Sequence, residues 1–205
     1  MTDSLPAQLF TRLDEAPDAD FYQAPRFVNH IDDATIAALT EFYREFVPAG
    51  SRVLDLMSSW VSHLPTDYDY ARVAALGMNE AELAANPQAT EHCVHDLNAD
   101  PELPFPPASF DRVVLAVSVQ YLIKPVEVMT SAHAALCPGG AICIAMSHRL
   151  FPTKAIAAFH RMSPAQRVQL VATYLELAGF ESVEFVDRSP EGADPLWLVL
   201  GRRAS

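Results

Sequence analysis

Arg52-Val-Leu-Asp-Leu-Met-Ser-Ser-Trp60 is the stretch whose reading decides the fold. Val53 and Leu54 make a short apolar strand, Asp55 ends it, and a polar turn follows. In nucleotide-binding α/β domains such a turn is rich in glycine, because a ligand must lie against the backbone. Here no glycine occurs between Ser51 and Leu76. The stretch has the position of a ligand loop and a different residue type.

Upstream of it, Asp32 or Asp33 can cap a helix in which Ile36, Leu39, Phe42, Tyr43 and Phe46 recur at helical spacing. Pro48-Ala49-Gly50 stops that helix and feeds the strand. Residues 1–31 read as an irregular polar arm anchored by Phe21, Tyr22 and Phe27, and residues 32–205 as the domain proper. Downstream, Ala71 to Leu76 is a second strand, and residues 79–86 form a short helix with Asn79 as cap and Glu82 three residues on. Glu91 to His95 is a third strand, and the prolines from Pro101 to Pro107 make a loop.

Asp111 to Val119 is β-branched and nearly continuous, as expected of a strand buried on both faces of a parallel sheet. Pro125 opens a helix, Pro138-Gly139-Gly140 is a turn, and Ala141 to Met146 is a fifth strand. Helices over about 153–161 and 164–178 follow, then strands at Phe180 to Val186 and Leu196 to Leu200. The last two strands are joined by a short segment without a helical pattern, so they pair as an antiparallel hairpin. Strands alternating with helices predict an α/β fold, a mostly parallel sheet of seven strands with helices on both faces.

At 205 residues the chain fits one domain with a full core, and half of its residues are hydrophobic. A formal charge of −12, with 14 basic residues, argues against a nucleic-acid partner, because phosphate binding needs clustered Lys and Arg. Cys93, Cys137 and Cys143 contain no CxxC pair, which speaks against a zinc site or a disulfide framework. His92 and His95 stand three apart on a strand, so they point to opposite faces and bind no metal together. The first residues lack the basic start and apolar core of a secretory signal, and no apolar run approaches the ~20 residues that span a bilayer. The expectation is a cytoplasmic chain with no membrane partner. Its sequence sets no oligomeric state.

The order of these pieces resembles class I S-adenosylmethionine-dependent methyltransferases, closest to the type 11 group, over about residues 36–203. Val53-Leu54-Asp55-Leu56 is similar to that family's first strand, and Gly77-Met78-Asn79 to the end of its second. Asp96-Leu97 followed by Leu103-Pro104-Phe105, then Ser109-Phe110-Asp111-Arg112-Val113-Val114, then Leu136-Cys137-Pro138-Gly139-Gly140, match its later landmarks in order. The resemblance implies a Rossmann-like sheet with an added antiparallel C-terminal strand and S-adenosyl-L-methionine as cofactor. Where the family reads Asp-x-Gly-x-Gly-x-Gly, this chain has Met57, Ser59 and Val61; where it ends strand two with an acid, this chain has Asn79 beside Glu80. The Ser-Ser-Trp turn is therefore a variant loop.

Open α/β sheets bind ligands at the carboxyl ends of their strands, which gathers Asp55, Met57, Ser58, Asn79, Asp96 and Ser118 around one crevice. For the cofactor the resemblance implies, Ser58 and Ser59 hydroxyls, with N–H groups at the start of a following helix, can hold a carboxylate. Asp96 can accept from the adenine amine, with Leu97 or Met78 against the ring. A side chain at Met57 or Ser59 opposes the left-handed backbone that glycine tolerates, so the loop is expected to take another path. His148 is the first candidate for a base and His63 the second; Arg149 can hold an anionic small-molecule substrate, Tyr121 can stand at the substrate mouth, and Tyr22 and Arg26 can cover the cofactor. Two other readings compete. One is a non-catalytic sensor or scaffold of the same fold. The other is a dinucleotide oxidoreductase, which would need a G-x-G-x-x-G that is absent.

Overall fold

The computed structural model describes residues 5–205. Its strands are β1 (Arg52–Ser58), β2 (Arg72–Gly77), β3 (Glu91–Val94), β4 (Phe110–Ala116), β5 (Leu136–Met146), β6 (Glu181–Asp187) and β7 (Trp197–Arg202). They form one seven-stranded sheet in the order β3-β2-β1-β4-β5-β7-β6. The pairs from β3 through β5 are parallel, and β7 runs antiparallel between β5 and β6. The chain builds outward from β1 to β3 and then crosses back to β4, which puts the switch in strand order between β1 and β4.

The helices are α1 (Asp18–Phe21), α2 (Asp33–Phe46), α3 (Glu80–Ala84), α4 (Pro125–Ala135), α5 (Ala157–Arg161) and α6 (Pro164–Leu177). Alternate side chains of the central strands enter two cores. Leu54, Val113 and Ile142 pack with α4, α5 and α6 on one face. Val53, Val114 and Cys143 pack with Leu39, Phe42 and Tyr43 of α2 on the other. Local signals set the helix starts. Asp32 accepts the Thr35 N–H at 2.9 Å, Pro125 opens α4, and Ser163 with Gln166 closes a capping box on α6.

The structure corrects several sequence boundaries. β4 ends at Ala116, three residues early, because Val117 turns to φ 50° and residues 119–121 coil into a 3-10 turn. Pro138-Gly139-Gly140 lies inside β5, since a Cβ at Gly140 would stand 2.8 Å from the Cys137 carbonyl and only glycine lets the chain run on. Of the helix expected over 153–161 only α5 is helical. The arm holds a 3-10 turn, Ala7–Leu9, and α1. Most consequential for the site, residues 59–71 form no helix between β1 and β2. That loop is tied to the end of α3 instead: Asn86 Nδ2 donates to the Ser59 carbonyl and Ser62 Oγ, and Gln88 Nε2 donates to the Leu64 carbonyl.

Candidate functional site

A cavity of about 1120 Å³, counted to its open mouth, lies at the carboxyl ends of β1 to β4. That is the switch point, where an open sheet leaves a crevice between oppositely turning connections. Asp55, Met57, Ser58, Ser59 and His63 reach it from β1 and its exit loop. Met78 and Asn79 come from β2, Asp96 and Leu97 from β3, and Ser118 and Tyr121 from β4. Tyr22 and Arg26 face it from the arm. Arg149 stands in an adjoining recess, and His148 lines neither space.

The exit of β1 differs from the sequence expectation. Met57 takes φ 57°, the left-handed region usually left to glycine, and the β1–β2 register shifts there between Leu56 and Ser58. The loop thus keeps a glycine-type backbone at Met57, at a cost of roughly 1–2 kcal/mol. The bulge drives the Ser58 carbonyl across β2, where a Cβ built on Gly77 would lie 2.2 Å from it. The glycine that permits close approach therefore sits on β2.

The serine hydroxyls are committed as donors. Ser58 Oγ donates to Asp55 Oδ2 at 2.5 Å and Ser59 Oγ to Glu82 Oε2 at 2.6 Å. With no helix following β1, neither the hydroxyl hydrogens nor a helix N-terminus at that place is available to a carboxylate, contrary to the expectation. Asp55 is 3 % exposed, and burial raises its pKa to about 7 against the pull of Ser58 and Ser62.

Asn79 caps α3 through Oδ1, which accepts the Glu82 N–H at 3.1 Å, while its Nδ2 donates to the carbonyls of Tyr22 and Gln23. Glu82 adds a second tie to the arm by accepting the Arg26 N–H at 2.6 Å. Asp96 Oδ1 accepts the N–H groups of Asn98 and Ala99, the ordinary turn-capping role, and Oδ2 has no hydrogen bond among the described residues. Ser118 is 9 % exposed and its Oγ has no partner among the described residues.

His63 stands at φ 57°, and burial, with His30 beside it, lowers its pKa to about 4. It is neutral at pH 7. His148 is exposed and turned away, with Nε2 3.1 Å from Asp194 Oδ1, so its place as first candidate base is not supported by position. Arg149 puts Nε and Nη2 at 3.0 Å from the same carboxylate, which leaves its charge largely matched.

Sequence reasoning missed Glu82 as a wall residue, reading it only as part of a cap, and missed His30, Asn98 and Phe151 altogether. The one available signal was Asn79 followed at three residues by Glu82; the rest reach the cavity only through tertiary packing.

Residues 58–144 match the family model described as methyltransferase domain. Solved structures share the fold. An S-adenosylmethionine-dependent methyltransferase from Mesorhizobium loti aligns with a TM-score of 0.58 at 20% identity, over 81% of this chain and 98% of that one. Haemonchus contortus phosphoethanolamine N-methyltransferase 2, in complex with S-adenosyl-L-methionine, gives 0.60 at 15%, over 84% of this chain and 53% of that one. The cyclase SpnF gives 0.62 at 14%, over 81% and 80%. No curated protein matches the chain in sequence. The resemblance to S-adenosylmethionine-dependent methyltransferases is thus present both in the family match and in the seven-stranded fold.

Proposed function

We propose that this chain, built on the S-adenosylmethionine-dependent methyltransferase fold, binds S-adenosyl-L-methionine in the switch-point cavity and methylates a small-molecule acceptor. The observation that carries this reading is the charge of the wall. Glu82 and Asp96, with Asp55 partly ionised at pH 7, line the cavity together with Arg26, while Asp18, also in the wall, is matched by Arg12 and Lys154. S-adenosylmethionine offers a sulfonium and an ammonium against one carboxylate, the complementary pattern.

The residues present fit that ligand. Gly77 lets the Ser58 carbonyl pack against β2 and so shapes the cavity floor, and the unpartnered Ser118 Oγ lies buried in the wall. Asp96 Oδ2 accepts the adenine amine, with Met78 and Leu97 against the ring. Asn79 Oδ1 has a second lone pair for a ribose hydroxyl. Arg26 takes the carboxylate in place of the committed serines: its guanidinium lies 4.3 Å from the Phe21 ring centroid and makes no ion pair among the described residues. Tyr22 covers this end of the cavity. When bound, the cofactor supplies an electrophilic methyl group on sulfur. The chain's contribution is alignment and the exclusion of water, with neutral His63 on the same wall.

The charge of −12 sets nucleic acid aside as acceptor, and among the described residues no helix is long and apolar enough to cross a membrane. Asp96→Ala and Arg26→Met are each expected to weaken S-adenosylmethionine binding by about 1–3 kcal/mol in calorimetric titration. Undiminished affinity in both variants contradicts this placement. The second reading, a non-catalytic member of the fold, is favoured by the committed serine hydroxyls and the missing helix after β1. It predicts no heat with either S-adenosylmethionine or S-adenosylhomocysteine at millimolar concentration.

A further inference from the structure

The cavity shares a wall with an open recess of about 470 Å³, counted to its mouth. Asn29, His30, Val117, Tyr121 and Phe151 belong to both spaces. Much of this wall is aromatic. Tyr121 stacks on Phe151 with ring centroids 5.7 Å apart and planes at 26°, and His30 meets Phe151 edge-on at 5.3 Å and 86°. Such rings hold a planar ligand by its faces and edges.

One of the shared residues can take a proton. Tyr121 already uses its hydroxyl oxygen to accept the Phe151 N–H at 2.8 Å. His30 makes the ring contact with Phe151, and its ring nitrogens have no hydrogen-bond partner among the described residues. Burial lowers its pKa, with Glu82 opposing and Arg26 adding to the shift, so the imidazole is neutral and has a free lone pair at pH 7.

The backbone beside it is strained. Val117 holds φ 50°, a region that a β-branched side chain avoids. It is kept there by two bonds: its N–H donates to the Ala145 carbonyl at 2.8 Å, and the buried Gln120 side chain donates to its carbonyl at 2.9 Å. Strain of this kind persists where the surroundings over-determine it, and it clusters at ligand sites.

Charge narrows the ligand. Arg149 lines the recess and Asp194 holds it, while Arg26, 5.7 Å from the Phe151 ring centroid, is assigned to the cofactor carboxylate in the reading above. The neighbouring cavity is acidic. An anionic group gains little here, whereas an uncharged ring bearing an ionisable hydroxyl matches both the rings and the imidazole.

We infer that this recess seats the methyl acceptor, that the acceptor is an uncharged phenol, and that His30 takes the phenolic proton. The inference rests on the methyl-transfer reading above. In the step, the phenolic oxygen bonds to the methyl carbon, the electron pair of the broken carbon–sulfur bond stays on sulfur, and the proton passes to His30 and then to water.

The test uses 2-naphthol and its anionic counterpart 2-naphthoate as probes, on protein saturated with S-adenosylhomocysteine. Titration of S-adenosylhomocysteine alone is read first. Absence of binding there overturns the cofactor reading, whereas its binding without any binding of 2-naphthol overturns the phenol seat alone. The expected result is saturable binding of 2-naphthol, at least tenfold tighter than 2-naphthoate, with a shift of the His30 ring nitrogen resonances. His30→Phe is expected to weaken 2-naphthol at least tenfold and to change S-adenosylhomocysteine affinity by a clearly smaller factor. His30→Gln, whose amide accepts a hydrogen bond and takes no proton, is expected to bind 2-naphthol within a few fold and methylate it at least tenfold more slowly. Equal affinity for 2-naphthoate, undiminished binding in His30→Phe, or unchanged turnover in His30→Gln overturns the assignment.

Discussion

Asp55 is buried with only hydroxyl partners, and burial raises its pKa to about 7 from 3.8. The folded state therefore holds this proton more tightly than the unfolded chain does, so Asp55 lowers stability progressively as pH rises from about 4 to about 7. Asp55→Asn is expected to match the parent in urea unfolding near pH 4 and to exceed it by on the order of 3 kcal/mol at pH 8. Equal differences at both pH values would show that the carboxyl does not titrate in this window. His63 shifts the other way: its folded pKa of about 4 lies below the ordinary 6.5, so its neutral form is stable from about pH 4 upward. The His63 imidazole resonances should titrate with a midpoint near pH 4, and a midpoint near 6.5 would place it in water. Met57 shows why residue type alone misleads. Its side chain opposes φ 57°, yet the bulge between two parallel neighbours holds it there.

Two elements carry the geometry of the site, the β1 bulge and the cap of α3. Gly77→Ala would push a methyl against the Ser58 carbonyl, a backbone atom that cannot swing aside. A loss of at least about 2 kcal/mol in chemical denaturation is expected, and a neutral effect would mean that the bulge relaxes freely. Asn79 has two jobs that one substitution separates. Asn79→Asp keeps an oxygen for the Glu82 N–H and loses the donor bonds to Tyr22 and Gln23. Faster amide exchange over residues 17–27 at nearly unchanged global stability is the expected result; unchanged exchange there would show that Asn79 does not latch the arm.

Much at this scale is legible in the sequence. Asp32, Pro125 and Ser163 start their helices by local chemistry, and the apolar run from Val113 is a doubly buried strand because both faces of the sheet are covered. The loop after β1 is not legible. Its shape depends on Asn86 and Gln88, amides more than twenty residues away that pair with Ser59, Ser62 and Leu64. Glu82 and Arg26 meet across a separation of 56 residues, which no periodicity registers.

Across the whole molecule, the arm is joined to the sheet's ligand edge by a buried ionic knot. Lys154 lies 3.1 Å from both Asp14 and Asp18, Arg12 pairs with Asp18 at 2.7 Å, and Asn98 of the cavity wall donates to Asp18 at 2.7 Å. Burial pushes the Asp18 pKa up, but hydrogen bonds from Asn98, Arg12 and Lys154 outweigh it and hold it low. Lys154→Met leaves two carboxylates short of a cation, and a loss of roughly 3 kcal/mol is expected in urea unfolding. Retained stability would mean that water replaces the ammonium. The knot ties the arm, with α1, to the loop after β3, and the arm supplies Tyr22, Arg26 and His30 to the cavity wall. The proposed function requires that this cavity receive an adenosyl amino acid. Calorimetric titration of the full chain with S-adenosylhomocysteine tests it most directly: saturable one-to-one binding, reduced at least tenfold by Arg26→Met, is the predicted result, and no heat at millimolar ligand would contradict it.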